Sequence, residues 1–152
     1  MPPSLISPFF VPYPMEAGMK RGRTVLEAKR LGVFACSPDT PLEEAARQML
    51  KEDISSLVVT DEDGYLCGII TRMDILRAYL RDAEGWHRTP ASEIMSRQVV
   101  TVTLQTALHE VAQILMERHI HRVVVTEREG DKERPLAVVS DGDLIYHLHK
   151  SA

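Results

Sequence analysis

Two four-residue patterns carry the groups in this chain that could do chemistry: Thr71-Arg72-Met73-Asp74 and Ser140-Asp141-Gly142-Asp143. Each follows a short apolar run, Gly68-Ile69-Ile70 or Ala137-Val138-Val139, and each opens a stretch with helical periodicity. A hydroxyl at the start of such a helix stands where backbone N–H groups lack intrahelical acceptors and the helix dipole is positive, a ready anion site. An ionised aspartate three residues on is acceptor-only and can take hydrogen bonds from two donors at once. The same spacing also makes an N-terminal capping box, in which hydroxyl and carboxylate serve only the helix's own backbone. Ligand binding and helix capping both remain open for the motif alone, and one pair of residues can do both.

The elements that position these groups form an internal duplication. Leu42, Ala45, Ala46, Met49 and Leu50 follow the i, i+3, i+4, i+7, i+8 spacing of one helix face, and Leu108, Val111, Ala112, Leu115 and Met116 repeat it 66 positions later. In the first copy, Val33–Cys36 reads as extended, and Thr40 caps a helix with Pro41 at its first position and Glu43 completing a capping box. Ile54–Thr60 and Leu66–Ile70 read as a hairpin around Asp61-Glu62-Asp63-Gly64, and Asp74–Asp82 as a second helix. In the second copy Val99–Val102 is extended, Thr106 caps the helix, Ile120–Thr126 and Leu136–Val139 are strands, and a last helix runs from about Asp143 to His149. The offset grows from 66 to 69 across the second hairpin, which the sequence places in a longer turn, Glu127–Arg134.

A helix capped by Thr24 and Glu27 and ended by Gly32 precedes the first copy, and a short one capped by Thr89 precedes the second. The expected divisions are a proline-rich arm over 1–20, a first repeat over 21–82, a linker over 83–88 and a second repeat over 89–150. The arm holds Pro2, Pro3, Pro8, Pro12 and Pro14 and is irregular, but Phe9, Phe10, Val11 and Tyr13 make it too apolar for a solvated tail. It should pack on its own body or on a second subunit.

Composition narrows the function. A formal charge of −4 over 152 residues argues against nucleic acid as the partner. The basic cluster Lys20, Arg21, Arg23, Lys29 and Arg30, opposed by Glu27, reads as a solvated helix face. Cys36 and Cys67 form no CxxC and suggest neither a metal site nor a disulfide scaffold. Met1–Val11 lacks the basic region of a secretory signal, and no apolar run approaches the roughly 18 residues of a membrane span. The expected setting is soluble, reducing and cytoplasmic.

Two β-α-β-β-α units, each ending in an apolar strand and a Ser/Thr-x-x-Asp helix start, resemble a tandem pair of cystathionine-β-synthase (CBS) domains, a free-standing Bateman module. The carrying segments are Thr40–Ala46 and Gly68–Asp74 in the first unit, and Ile120–Val125 and Ala137–Asp143 in the second. The resemblance covers about 22–149 and implies an α+β fold, with two repeats related by a pseudo-twofold axis and helices packed on small, mainly antiparallel sheets. It also implies adenosine-containing ligands (AMP, ADP, ATP or S-adenosylmethionine) in clefts between the repeats, with no required cofactor. Asp74 and Asp143 would then take the ribose hydroxyls, and Thr71 and Ser140 the phosphate end. Adenine would lie against the extended segments at Ala35-Cys36 and Thr101-Val102.

The copies differ where a phosphate would sit. His121 and Arg122 open a strand in the second unit, where the first has Ser55 and Ser56, and arginine forks onto phosphate as serine cannot. Arg72 follows Thr71, whereas Ser140 is followed by Asp141, which repels phosphate, and Ala137 stands where the family pattern has glycine. The sites should therefore be unequal, with Thr71, Arg72, Asp74 and Ser56 in one and Ser140, Asp143, His121 and Arg122 in the other. His119 and His121 lack the further ligands of a metal site, and no catalytic triad or paired carboxylate stands apart from the repeat. The expectation is a non-enzymatic ligand sensor that forms a homodimer and acts through its own shape or a separate effector protein. A ligand-free dimerisation scaffold and a nucleic-acid accessory protein are the alternatives.

Overall fold

The computed structural model describes residues 9–12, 24–25 and 31–151. The chain divides into two compact units: unit 1 is Met1–Val11 with Val33–Val99, and unit 2 is Pro12–Gly32 with Val100–Ala152. The fold is mixed α+β, with two small sheets and, among the described residues, five α-helices.

Unit 1 contains β1 (Phe10–Pro12), β2 (Gly32–Cys36), α1 (Leu42–Glu52), β3 (Ser56–Thr60), β4 (Leu66–Thr71), α2 (Arg72–Arg81) and the single-turn α3 (Ala91–Ile94). Its sheet order is β1-β2-β3-β4, with β2 parallel and β4 antiparallel to β3. The residues of the arm that are described pack on their own unit: Ala35 N–H donates to Phe9 O at 2.6 Å, and the Phe10 and Phe34 rings lie 5.1 Å apart. Residues 10–12 are thus an edge strand within the stretch expected to be irregular, while the rest of the arm lies outside the described residues.

Unit 2 repeats the scheme with β5 (Thr101–Val102), α4 (Leu108–Arg118), β6 (Arg122–Glu129), β7 (Lys132–Ser140) and α5 (Asp141–Ser151). Here β5 runs parallel and β7 antiparallel to β6. Both sheets are therefore mixed, with the antiparallel ladder the longer one in each. The strands are apolar because both faces of each central strand are covered, as the burial of Leu57, Val58 and Val59 and of Val123, Val124 and Val125 records.

The helix stripes build the cores. Leu42, Ala45 and Met49 pack with Leu57, Val59 and Ile70 in unit 1, and Val111 and Leu115 with Val123, Val125 and Val139 in unit 2. A fully buried Leu such as Leu42 contributes about 1.5–3 kcal/mol by leaving water. The last residue of each stripe breaks ranks, since Leu50 and Met116 are 78% and 76% exposed.

Both helix starts differ from expectation in the same way. The N-cap positions are Pro41 and Ala107, neither with a side-chain cap. Thr40 and Thr106 are held one step earlier, where each hydroxyl accepts a backbone N–H, from Ser37 at 3.0 Å and from Thr103 at 3.1 Å. A hydroxyl committed to that turn does not cap the helix, so no capping box forms with Glu43. Thr89 likewise leaves the N-cap of α3 to Pro90. Glu27, the partner expected for Thr24, lies outside the described residues.

Strand starts also move. Asp53 and His119 end α1 and α4 in the left-handed region at φ 52° and 53°, and Ile54 and Ile120 donate back to Met49 O and Leu115 O. Those isoleucines belong to the helix exits, so β3 begins at Ser56 and β6 at Arg122. In the second hairpin the expected loop Glu127–Arg134 is instead ladder. Glu127 pairs with Arg134 and Arg128 with Glu133, and a two-residue turn at Gly130-Asp131 closes it with Gly130 at φ 68°. Opposite charges facing across the strands favour this pairing, with Arg134 Nε 2.7 Å from Glu129 Oε2.

The segment before each repeat packs in the unit of the other. Ala91 N–H donates to Thr40 O at 2.9 Å in unit 1, and Val25 N–H to Thr106 O at 3.0 Å in unit 2. Ala91 is fully buried in the unit 1 core and Val25 in that of unit 2. These two bonds are related by the 66-residue offset, so the compact units cut the chain at other points than the sequence repeats do.

Candidate functional site

Each unit forms a corner where its last strand turns directly into a helix, β4 into α2 and β7 into α5. In unit 1, Thr71 ends β4 in an extended conformation and caps α2. The Asp74 carboxylate reaches back, with Oδ2 accepting from Thr71 N–H at 2.9 Å and Thr71 Oγ1 at 3.0 Å. Asp74 N–H in turn donates to Thr71 Oγ1 at 3.3 Å, which completes the box. Arg77 Nη1 donates to the other oxygen, Oδ1, at 2.9 Å. This carboxylate is fixed through Oδ2, while its Oδ1 partner is an exposed guanidinium on a flexible stem.

In unit 2, Asp143 Oδ2 accepts from Ser140 N–H at 2.9 Å and Asp143 N–H donates to Ser140 Oγ at 3.2 Å. Capping is therefore a role both motifs perform. The residue across the ladder differs as the sequence implied: Ser56 faces Thr71, and Arg122 faces Ser140. His121 Nδ1 lies 3.0 Å from Asp141 Oδ2, and Asp141 N–H donates to His121 O at 2.9 Å. The His121 hydrogen bond, with a smaller contribution from Gly142 N–H, holds the Asp141 carboxyl below the usual carboxylate range. In unit 1 the equivalent Arg72 turns toward α1, with Nε donating to Ile54 O at 3.2 Å and Nη2 3.5 Å from Asp53 Oδ1.

The structure brings Thr71, Arg72, Asp74 and Ser56 together, and likewise Ser140, Asp143, His121 and Arg122. The extended segments sit further along each sheet. Ala35 is level with Val58 and Thr101 with Val124, two residues beyond Ser56 and Arg122. Cys36 and Val102 are buried in the cores. Burial pushes the Cys36 thiol up to about 12, against a hydrogen bond from Thr40 that lowers it. Thr101 Oγ1 donates to Glu133 Oε1 at 3.2 Å, and the buried Thr126 hydroxyl donates to the same oxygen at 3.1 Å.

Gly68 meets its own unit rather than open space. A Cβ there would lie 2.7 Å from Ser96 O and 2.8 Å from Met95 Sδ, because Ser96 pairs with Ile69. Ala137, its counterpart, is fully buried. Among the described residues no group of three or more His, Cys, Asp or Glu is placed to hold a metal ion.

Sequence reasoning missed Arg77 and Glu133. Arg77 stands three residues after Asp74, an ion-pair spacing readable on any helix. Glu133 fell in a stretch read as loop, so nothing signalled that it faces the sheet.

A duplicated α+β unit with a hydroxyl–carboxylate corner in each copy defines a tandem-repeat module. The CBS domain model matches residues 28–81 and 91–150, and the chain belongs to that family. The CBS domain-containing protein YhcV of Bacillus subtilis is 30% identical over 113 residues, covering 74% of this chain and 76% of that protein. CBSCBSPB5 of Arabidopsis thaliana is 30% identical over 133 residues, 87% of this chain but 22% of its own length, so the chain spans about a fifth of that relative. The solved CBS domain pair of MJ0100, in complex with 5′-methylthioadenosine and S-adenosyl-L-methionine, superposes with a TM-score of 0.70 at 26% identity, covering 85% of this chain and 98% of that one. Among the described residues no helix is long and apolar enough to cross a membrane.

Proposed function

We propose that this protein is a non-enzymatic regulatory module that binds adenosine-containing ligands at its two strand-to-helix corners. The observation that carries the reading is the recurrence of one arrangement at both: an aspartate held rigid by the backbone N–H three residues before it, at the N-terminus of a helix of ten or more residues. A preorganised acceptor costs little to order on binding, and a vicinal diol offers two donors to it. At the first corner a ribose would displace Arg77 from Oδ1, freeing that guanidinium for a phosphate. That MJ0100 binds two adenosine compounds supports the same class here.

Binding is reported through conformation or assembly, by differential affinity between states. A homodimer fits the surface: α2 exposes Met73, Leu76, Tyr79 and Leu80, and α5 exposes Ile145, Tyr146 and Leu148. The same surface favours the second reading, a ligand-free dimerisation scaffold in which both corners only cap helices. We place the protein in the cytoplasm. Thermal denaturation with AMP, ADP, ATP, S-adenosylmethionine and 5′-methylthioadenosine separates the two readings. A ligand at 100 times its Kd stabilises by about 2.7 kcal/mol. No shift with any of the five sinks the adenosine reading and leaves the scaffold.

A further inference from the structure

The two corners differ most at one position of the repeat, where Arg72 in unit 1 corresponds to Asp141 in unit 2. In unit 2 the helix start already holds an anion of its own, since Asp141 Oδ1 accepts from Gly142 N–H at 2.7 Å while Oδ2 is bound to His121. The first three N–H groups of α5 thus all have acceptors within the chain: His121 O, Asp141 Oδ1 and Ser140 Oγ. In unit 1, Arg72 has no acceptor atom to offer the equivalent Met73 N–H. Arg72 N–H and Asp74 N–H are bound to Ser55 O and Thr71 Oγ1.

Charge follows the same division. The first corner sets Arg72 and Arg77 against the carboxylates of Asp74 and, from the exit of α1, Asp53. The second sets Arg122 against two, Asp141 and Asp143, with Tyr146 where unit 1 has Arg77. The exposed His121 is engaged by Asp141, so it does not stand as an independent cation at that corner.

We propose that the two corners sort adenosine compounds by the charge they carry at the 5′ position. The Thr71–Asp74 corner takes 5′-phosphorylated nucleotides, and the Ser140–Asp143 corner takes adenosine compounds with a neutral or cationic 5′ substituent. Asp141 is the residue that sets the difference, by occupying the N–H a phosphate would use and repelling the phosphate charge. This rests on the adenosine reading above.

The test is amide NMR of the full chain titrated with AMP or with 5′-methylthioadenosine, which share base and ribose and differ in 5′ charge. AMP is expected to shift the amides of Arg72, Met73 and Asp74 at concentrations about tenfold below those that shift Asp141, Gly142 and Asp143, a difference of about 1.4 kcal/mol. 5′-Methylthioadenosine is expected to lack that order. Asp141→Asn, nearly isosteric and still able to accept from Gly142, should raise AMP affinity at the second corner about tenfold and leave 5′-methylthioadenosine within about twofold. The proposal is overturned if AMP reaches both corners together in the natural protein, a result that needs no variant to fold, or if Asp141→Asn leaves AMP affinity unchanged. If neither compound shifts either corner, the adenosine reading itself falls, and the sorting falls with it.

Discussion

Unit 1 and unit 2 share a plan but distribute their side chains differently around it. At the helix stripe, unit 1 buries Leu42 completely, whereas the equivalent Leu108 is only partly covered. At the second strand, unit 1 leaves room for Ser96 to pair with Ile69 by having no side chain at Gly68, while unit 2 fills the equivalent position with a buried methyl at Ala137. At the corner, unit 1 presents cations from its helix, and unit 2 presents its cation from the strand and a carboxylate from the helix. Duplication fixes the backbone plan cheaply, because it needs only the pattern of apolar positions. The positions that line no core are free to diverge, and a second function can grow there.

The largest difference is expected in the cores. Leu42→Ala removes a fully buried side chain and should destabilise by about 2–5 kcal/mol, while Leu108→Ala, partly solvated already, should lose clearly less. Chemical denaturation of the two variants measures this. If both lose the same stability, the cores are equally packed and the contrast between units is wrong. Separate transitions in Leu42→Ala, with unit 2 melting at its usual point, would sharpen the contrast into independent folding.

A middle-sized effect is expected at the paired second strands. Gly68→Ala puts a methyl within 2.7 Å of a backbone carbonyl, which must shift, at a cost of about 1–3 kcal/mol. Ala137→Gly removes a buried methyl and adds backbone freedom, costing about 0.5–1 kcal/mol from the backbone alone. A Gly68→Ala protein as stable as the parent would show that the 95–96 segment moves aside freely.

Much of this was legible in the residues. The stripes set the helix faces, and the Ser/Thr-x-x-Asp pairs marked both corners, because a cap and an apolar period are local properties. What failed was non-local or competitive. Thr40 and Thr106 look like N-caps, yet each hydroxyl had a nearer donor in the preceding turn. Glu127–Arg134 is polar throughout, so it lacked the alternation that marks a strand, although facing charges let it pair. The exchange of segments between units, Ala91 into one core and Val25 into the other, has no local signature. Both segments precede a repeat in the chain, and only three-dimensional packing decides which unit each joins.

The smallest expected effect isolates the corner itself. Asp141 has its folded pKa depressed, mainly by the His121 hydrogen bond and secondarily by Gly142 N–H and the charges of His121 and Arg122, with burial opposing. A depressed carboxylate stabilises the folded state at pH values above its unfolded pKa, and that contribution disappears as pH falls through the folded pKa. Stability should therefore decline on the acid side of the ordinary aspartate range, and Asp141→Asn should flatten that part of the curve by lowering stability at neutral pH, with variant and natural protein converging once pH falls below the folded pKa. The side chains are largely solvated, 75% for His121 and 61% for Asp141, so the amplitude stays below about 1 kcal/mol, as for other surface ion pairs. Arg72 stands at the same place in unit 1 and is bound to Ile54 O and Asp53 rather than to Asp141's partners, so Arg72→Gln should leave the acid limb unaltered. Thermal melts of both variants between neutral pH and the acid limb decide it. An equal change in the two would mean that the acid response does not belong to the second corner, and that the carboxylate at position 141 is not held as the geometry requires.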